Sequence, residues 1–403
     1  MTDPAPSAAP DTFDVIVLGA GPAGAAAAMT ACRQGLSVAL VDKARFPRTK
    51  LCGGGVTGRS ARYFEEIFGA PLPEALVDTK TSVEFHAEGR SLGTLPQIPP
   101  MHLTMRWDFD ADLVARALAA GATDLTGCRV SEIDITAPAL TLSDGRRLSA
   151  RVLIGADGVN SPVARALFGR AHDPARIGFG LEVEAPAPPG NADRPLRIDF
   201  GAAQWGYGWD FPKTGSSTIG IGGVLSRNED MKGAMAAYLD LLGQDPTQPV
   251  KGHHLPFGDF HRHPGRGSVL LAGDAAGLVD PITGEGIAYA LKSGQLAAQA
   301  AAQALAEDAP ATALRRYRAT LRPIHRAIRQ ARAIRLLLFA PVFRPAFLAA
   351  FRRSGHLRHL YMRLLAGEIE YPDMARATLR RLPAFLAGAL RRGGTTPPTA
   401  RDA

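Results

Sequence analysis

The stretch 13-FDVIVLGAGPAGAAAAMTACRQGLSVALVD-42 decides the reading of this fold. Its apolar opening fits a buried strand, residues 22–34 fit an alanine-rich helix, and 36-LSVALVD-42 fits a second strand. A strand–helix–strand unit of this kind makes the two strands parallel neighbours. Within the turn 19-GAGPAG-24, Gly19 suits a tight bend, Gly21 lets a pyrophosphate approach the backbone, and Gly24 lets the helix lie close to the strand. The helix N-terminus behind the turn then faces the phosphates. Asp42 ends the second strand 18 residues past Gly24, placed to accept hydrogen bonds from a ribose hydroxyl pair. Ala23 and Lys43, beside these positions, complete the nucleotide-binding set expected in this segment. The unit implies a dinucleotide cofactor and leaves FAD and NAD both open.

Further along, 151-RVLIGAD-157 and 268-SVLLAGD-274 repeat the buried-strand pattern, each ending in an aspartate, and residues 110–120 read as an amphipathic helix. Residues 175–262 change character. Short alternating stretches such as 195-PLRIDF-200 and 217-STIGIGGVL-225, broken by glycine and proline, fit antiparallel strands. The expected division is a discontinuous nucleotide-binding domain (13–80, 101–174 and 263–310), an antiparallel-sheet substrate domain (81–100 and 175–262) and a basic helical region (311–392). Residues 1–12 and 393–403 are expected to be disordered.

The composition, 46% hydrophobic and 21% charged over 403 residues, is that of a globular enzyme. Three scattered cysteines (Cys32, Cys52, Cys128) make neither a disulfide framework nor a zinc site, so no metal is expected. The opening residues lack a basic region followed by an apolar core, and no run reaches membrane-spanning length, so a cytoplasmic location is expected. The net charge of +8 is local: residues 315–392 carry 18 arginines against Glu368, Glu370 and Asp373, a balance of +15, leaving −7 for the remainder.

Three motifs in order, 19-GAGPAG-24, 153-LIGADGVNSPVAR-165 and 271-LAGDAAGLVDPITGEGIAYAL-291, make the chain resemble the FAD-dependent hydroxylase-like flavoproteins. The resemblance implies an α/β fold with a Rossmann-like FAD-binding domain. It implies that Asp157 and Gly158 lie along the cofactor and that Gly273 and Asp274 hold its ribityl chain. Gly284, Gly286 and Ile287 would then open a helix aimed at the flavin pyrimidine, where a positive dipole end stabilises the reduced ring. Within that superfamily, 204-QWGYGWDFP-212 is similar to the Tyr-x-Trp-x-Phe-Pro signature of geranylgeranyl reductases, through Tyr207, Trp209, Phe211 and Pro212. Cys52 and Gly53, in 50-KLCGGGVTGRS-60, match that family's cysteine–glycine loop. The narrower resemblance implies saturation of carbon–carbon double bonds in a polyprenyl chain by reduced FAD, with a prenylated lipid, pigment or quinone as substrate. NAD(P)H is the expected reductant, but the sequence has no second nucleotide-binding motif for it, so ferredoxin or another donor stays open. The competing function is a monooxygenase or halogenase of the same superfamily. Halogenases carry a Trp-x-Trp-x-Ile-Pro motif, where this chain has Tyr207 and Phe211.

Several residues admit more than one reading. Cys52 could move a proton, shape the prenyl slot, or be inert. Tyr207, Trp209 and Phe211 share one face of a strand, and that stripe fits either a core or a substrate slot whose rings stabilise positive charge. Arg106, in 104-TMRWDFDADL-113, fits either a contact to the FAD phosphates or a salt bridge. The arginine-rich region, with the apolar 336-LLLFAPVFRPAFLAAF-351, fits a solvated face paired with the acidic remainder or an anionic membrane surface. The absence of lysine there and the flavoprotein core argue against nucleic acid.

Overall fold

Five parallel strands set the platform on which everything else is mounted. In the computed structural model, which describes residues 11–186 and 190–377, they run in the order Val269–Leu271, Arg147–Gly155, Asp11–Leu18, Val38–Asp42, Thr123–Thr126. Shorter antiparallel strands extend this sheet at Gly265–Arg266 and through Val130–Asp134 and Ala139–Leu142. Val15, Ile16 and Val17 are wholly buried, as a parallel strand covered on both faces requires. The first strand already starts at Asp11, because Asp11 and Thr12 find ladder partners in Leu148 and Ser149. Disorder expected over 1–12 is thus corrected at those two residues; residues 1–10 and 393–403 lie outside the described residues.

Parallel pairing gathers the strand ends on one side. The Gly19 N–H donates to the Val41 carbonyl (2.7 Å), Ala156 to Leu18 (2.7 Å) and Ala272 to Gly155 (2.9 Å). The three motifs, far apart in the chain, therefore leave the sheet as neighbouring loops, in the position where open α/β sheets bind ligands.

The helix Pro22–Arg33 is buried deeply enough that Ala25–Ala28 have no exposed surface, and only small residues permit this. A Cβ on Gly24 would stand 1.7 Å from the Gly19 carbonyl oxygen. On the other side lies the long helix Ile287–Ala306, where a Cβ on Gly294 would stand 2.0 Å from the Ala23 carbonyl oxygen. The first and third motifs are thus pressed together backbone to backbone.

A second sheet runs Lys251–Leu255, Gly178–Pro186, Ser216–Val224, Tyr207–Lys213, Leu196–Phe200, Val83–Ala87, Arg90–Leu95. It is antiparallel, as expected, with one parallel pairing, between Leu196–Phe200 and Val83–Ala87. The hairpin 83–95 enters from an earlier part of the chain, so no tight turn constrains its direction. Helices Ala313–Thr320, Arg322–Phe339, Arg344–Arg353 and Gly355–Leu365 follow, and the last two cover one face of this sheet. The cover is a cluster of rings: Phe351 stands edge-on to Phe85 (5.0 Å between centroids) and to Phe200 (5.4 Å), with Tyr361 beside them.

Gly294→Ala puts a methyl group into the first helix's backbone. Overpacking of this kind costs about 1–3 kcal/mol. Denaturant unfolding is expected to show that loss, and flavin absorbance a lowered cofactor content in the purified protein.

Candidate active site

The cofactor crevice is built from turns that tolerate no side chain and helix ends that lack a cap. Gly19 has φ +101°, and a Cβ there would fall 2.3 Å from the Ala156 oxygen. Gly21 is the N-cap of the first helix and no side chain caps that helix, so its leading N–H groups are free to meet an anion. Gly286 occupies the same uncapped position before the helix that starts at Ile287, where a Cβ would fall 3.2 Å from Val279 Cγ2 and 3.8 Å from Asp274 Oδ1. Gly158 (φ +80°), Gly273 (φ +60°) and Gly284 (φ +71°) all adopt the left-handed backbone that favours glycine.

The acidic residues are held in place by backbone donors. Asp42 accepts from Ala20 N–H through Oδ2 and from Ala44 N–H through Oδ1, both at 2.8 Å, which fixes its carboxylate at the turn; Lys43 points to solvent. Asp157 Oδ2 accepts from Val163 N–H (3.0 Å), while Ser161 Oγ accepts from Ala164 N–H (2.8 Å) to cap the helix Pro162–Phe168. Asp157 is therefore a capping residue, yet its Oδ1 is buried without a partner, and burial raises its pKa to about 6. Burial also raises Asp274, against the pull of Lys50 and Arg106.

Arg106 forms a salt bridge. Its Nε and Nη2 donate to the two oxygens of Asp110 at 2.7 and 2.8 Å. Its burial works against its charge, and Asp110 and Cys52 outweigh that. Asp110 also pairs with Arg48 at 3.0 Å, and it is Arg48 that reaches the phosphate turn: Nη2 lies 3.5 Å from where a Gly21 Cβ would be, and Nη1 is buried without an acceptor. Sequence reasoning passed over Arg48, whose only signal was its place in the loop after Asp42. Two uncapped helix ends, an orphaned arginine nitrogen and an orphaned carboxylate oxygen form a donor and acceptor set that fits FAD.

The opposite wall belongs to the second sheet. Tyr207, Trp209 and Phe211 share one face, their rings 6.0 and 6.4 Å apart in succession, and Pro212 alternates to the other. Tyr207 donates its hydroxyl to the Thr283 carbonyl at 2.6 Å, which ties the sheet to the third motif; burial first, then Asp280, holds that hydroxyl protonated. Trp209 and Phe211 are buried, and the Cys52–Gly55 loop lies on them: a Cβ on Gly53 would be 3.1 Å from Trp209 Nε1 and from Phe211 Cε2. Trp209 Nε1 has no acceptor.

Register explains how an indole fits on this face. Trp209 pairs with Gly220, and Gly220 with Glu182 on the next strand; Tyr207 pairs with Gly222, and Gly222 with Gly180. The three glycines form a bare floor, and a Cβ on Gly220 would be 2.3 Å from Trp209 Cζ2. Glu182 shares this face. Its Oε1 accepts from Cys52 N–H at 2.7 Å, and its Oε2 is buried without a partner. Cys52 Sγ accepts weakly from Gly54 N–H at 3.5 Å.

Comparison with known proteins places this geometry among relatives. The FAD binding domain family matches residues 12–186. Menaquinone reductase of Mycobacterium tuberculosis is 31% identical over 388 residues, spanning 90% of this chain and 93% of that protein. Geranylgeranyl diphosphate reductase of Rhodobacter capsulatus is 34% identical over 313 residues, spanning 74% of this chain and 77% of that one. A solved structure, a geranylgeranyl bacteriochlorophyll reductase-like protein from Thermoplasma acidophilum, superposes with TM-score 0.76 at 19% identity, covering 92% of this chain and 99% of its own. At that identity the likeness concerns the fold.

The glycine floor yields a test by double-mutant cycle. Gly220→Ala is expected to cost about 1–3 kcal/mol by driving the indole off the sheet. In a Trp209→Phe background the same change is expected to cost less, because the smaller ring vacates its side of the space and leaves the Leu181 carbonyl oxygen, 2.7 Å from such a Cβ. Equal costs in both backgrounds would show that the floor does not serve Trp209.

Proposed function

The chain belongs to the geranylgeranyl reductase family of FAD-dependent oxidoreductases, and from that premise we propose that it saturates carbon–carbon double bonds in the polyprenyl chain of a lipid-phase substrate, with NAD(P)H as reductant. The observation that carries this reading is the meeting of the Cys52–Gly55 loop with Trp209 and Phe211, which joins two segments resembling that family into one wall beside the cofactor crevice.

Bound FAD, once reduced, supplies the hydride. The protein must supply the rest. An isolated trisubstituted alkene is a poor hydride acceptor, so a proton has to arrive ahead of the hydride or with it, and positive charge builds on the tertiary carbon. The faces of Tyr207 and Trp209 are suited to stabilise that charge, an effect of about 1–2 kcal/mol when desolvated and roughly tenfold in rate. Tyr207 acts through its ring, since its hydroxyl is committed to Thr283. Cys52 reaches the same wall through a backbone held by Glu182.

The basic region supports a lipid-facing role. On the helix Arg322–Phe339 the exposed residues Arg322, Arg326, Arg329, Ala333 and Leu336 follow one another at three- and four-residue steps, with the exposed Leu337 beside the last. One helix face is thus basic in its first half and apolar in its second. It runs on to Val342 and Phe343, which are 77% and 47% exposed. Among the described residues Arg315, Arg318, Arg322, Arg326 and Arg329 make no ion pair, whereas Arg316 and Arg344 pair with Glu307 and Glu88 and Arg363 and Arg376 with Glu368 and Asp373. No single helix among the described residues is long and apolar enough to cross a membrane; Arg322–Phe339 and Arg344–Arg353 pass together only as a pair bent by 91°. We assign this corner to the surface of an anionic membrane on the cytoplasmic side, with arginines at the headgroups and Val342 and Phe343 inserted.

Anaerobic incubation of the reduced holoenzyme with geranylgeranyl diphosphate and, separately, with a prenylated quinone is expected to yield products heavier by multiples of two hydrogens. A requirement for O₂ would instead support a monooxygenase or halogenase. In flotation, binding to anionic vesicles is expected to exceed binding to neutral ones and to fall at least about tenfold in Phe343→Glu. Equal binding to both vesicle types would remove the membrane assignment.

A further inference from the structure

Glu182 is an acidic residue in an unusual position. It sits in the strand Gly178–Pro186, faces the crevice wall, and is separated from the Trp209 indole only by Gly220, which has no side chain. Its two oxygens are treated differently. Oε1 accepts the Cys52 N–H, while Oε2 is buried and has no donor. A carboxylate with one buried, unsatisfied oxygen is costly, and a proton on Oε2 removes that cost while leaving the Cys52 bond intact.

The surrounding groups are consistent with a protonated side chain. Burial is the main influence and lifts the Glu182 pKa to about 7; Glu184 adds to it, and the Cys52 N–H, Lys213 and Lys50 oppose it. Lys213 is engaged by Glu184 at 2.9 Å. Lys50, whose own pKa is lowered by burial and by Arg106, lines the same cavity, and Lys251 pairs with Glu182 in register from the neighbouring strand. That cavity, of about 130 Å³, lies between Cys52, Arg106 and Glu182. Thr49, Glu184 and Lys251, which also line it, are exposed, so water can enter from that side.

We infer that Glu182 is the acid that delivers the proton in alkene saturation, and that the cavity beside Lys50 and Cys52 is its route of reprotonation. The inference rests on the polyprenyl reading above. In the step, hydride from the reduced cofactor forms one new C–H bond. The Glu182 Oε2–H bond breaks as the second C–H bond forms on the other alkene carbon. The alkene is reduced, the cofactor is oxidised, and the carboxylate left behind regains its proton from water in the cavity. Placing the acid and the Trp209 ring on one row of the sheet delivers the proton where the charge it creates is stabilised.

The test uses holoenzyme reduced with dithionite under anaerobic conditions, mixed once with a polyprenyl substrate, while flavin reoxidation and product are followed. Wild-type rates are expected to fall as pH rises through about 7, as Glu182 ionises. E182Q is expected to lose at least about a hundredfold in rate together with that pH dependence, in line with general-acid contributions. E182D is expected to recover part of both, and C52A to keep the pH dependence. A second readout needs no turnover: infrared difference spectra of the oxidised holoenzyme are expected to show a protonated carboxyl band at mildly acidic pH that vanishes with alkali and is missing in E182Q. An active wild type whose E182Q variant stays within about threefold with an unchanged pH profile would overturn the inference, as would absence of the band. A wild type that saturates no polyprenyl chain would overturn the underlying reading, and this inference with it.

Discussion

The molecule depends on how closely one helix can approach its neighbours. Pro22–Arg33 is packed on one side against the turn that precedes it and on the other against Ile287–Ala306, and at both contacts backbone meets backbone where a single methyl group would not fit. Gly24 and Gly294 make this possible, and the alanines between them leave the helix almost without protruding side chains. The consequence is geometric. With the first and third motifs clamped together and Arg147–Gly155 paired beside Asp11–Leu18, three segments distant in sequence present their turns along one edge. A cofactor bound there is held by strand ends and helix ends, the stiffest parts of the chain, and needs few side chains of its own.

The second sheet meets this edge with an unusual surface. Most sheet faces are filled by side chains, but here Gly180, Gly220 and Gly222 leave a shallow bed that an indole occupies. Polar atoms without partners gather around the same crevice: Arg48 Nη1, Asp157 Oδ1, Glu182 Oε2 and Trp209 Nε1. Each costs on the order of 1–3 kcal/mol when left unsatisfied. Four of the nine such atoms among the described residues line this seam, which suits a surface shaped for a ligand.

How much of this was legible in the sequence follows the range of the contacts. Gly19, Gly21, Gly24 and Asp42 lie within one strand–helix–strand unit, and local spacing carries their meaning. The stripe Tyr207, Trp209 and Phe211 was equally visible, because alternation along a strand is a local rule. What spacing could not show was the other half of each contact. Glu182 looks like one acid among alternating residues of a strand, and only pairing across two strands sets it beside Gly220 and Trp209. The Tyr207 hydroxyl is taken by Thr283, and the Cys52 amide by Glu182, from segments remote in the chain. Arg106 carried a motif position but is consumed by Asp110, whereas Arg48, without a motif, stands at the phosphate turn. The C-terminal arginines showed their charge in composition, but that Arg322, Arg326 and Arg329 share one exposed helix face continuous with an apolar corner required the helix to be seen.

The parallel pairing of Val83–Ala87 with Leu196–Phe200 also bears on how the chain can fold during synthesis. The hairpin that ends the second sheet is made early, yet its partner strand emerges only after the chain has returned to the first sheet and laid down Arg147–Gly155. The first sheet in turn waits for Val269–Leu271, and its opening helix waits for Ile287–Ala306. The first sheet cannot close before the whole second sheet has been threaded through it, so contact order is high and folding is correspondingly slow. A nascent chain halted anywhere before Lys251–Leu255 leaves two unfinished sheets with open edges, which makes this an architecture suited to chaperone capture and resistant to division into independently folding fragments.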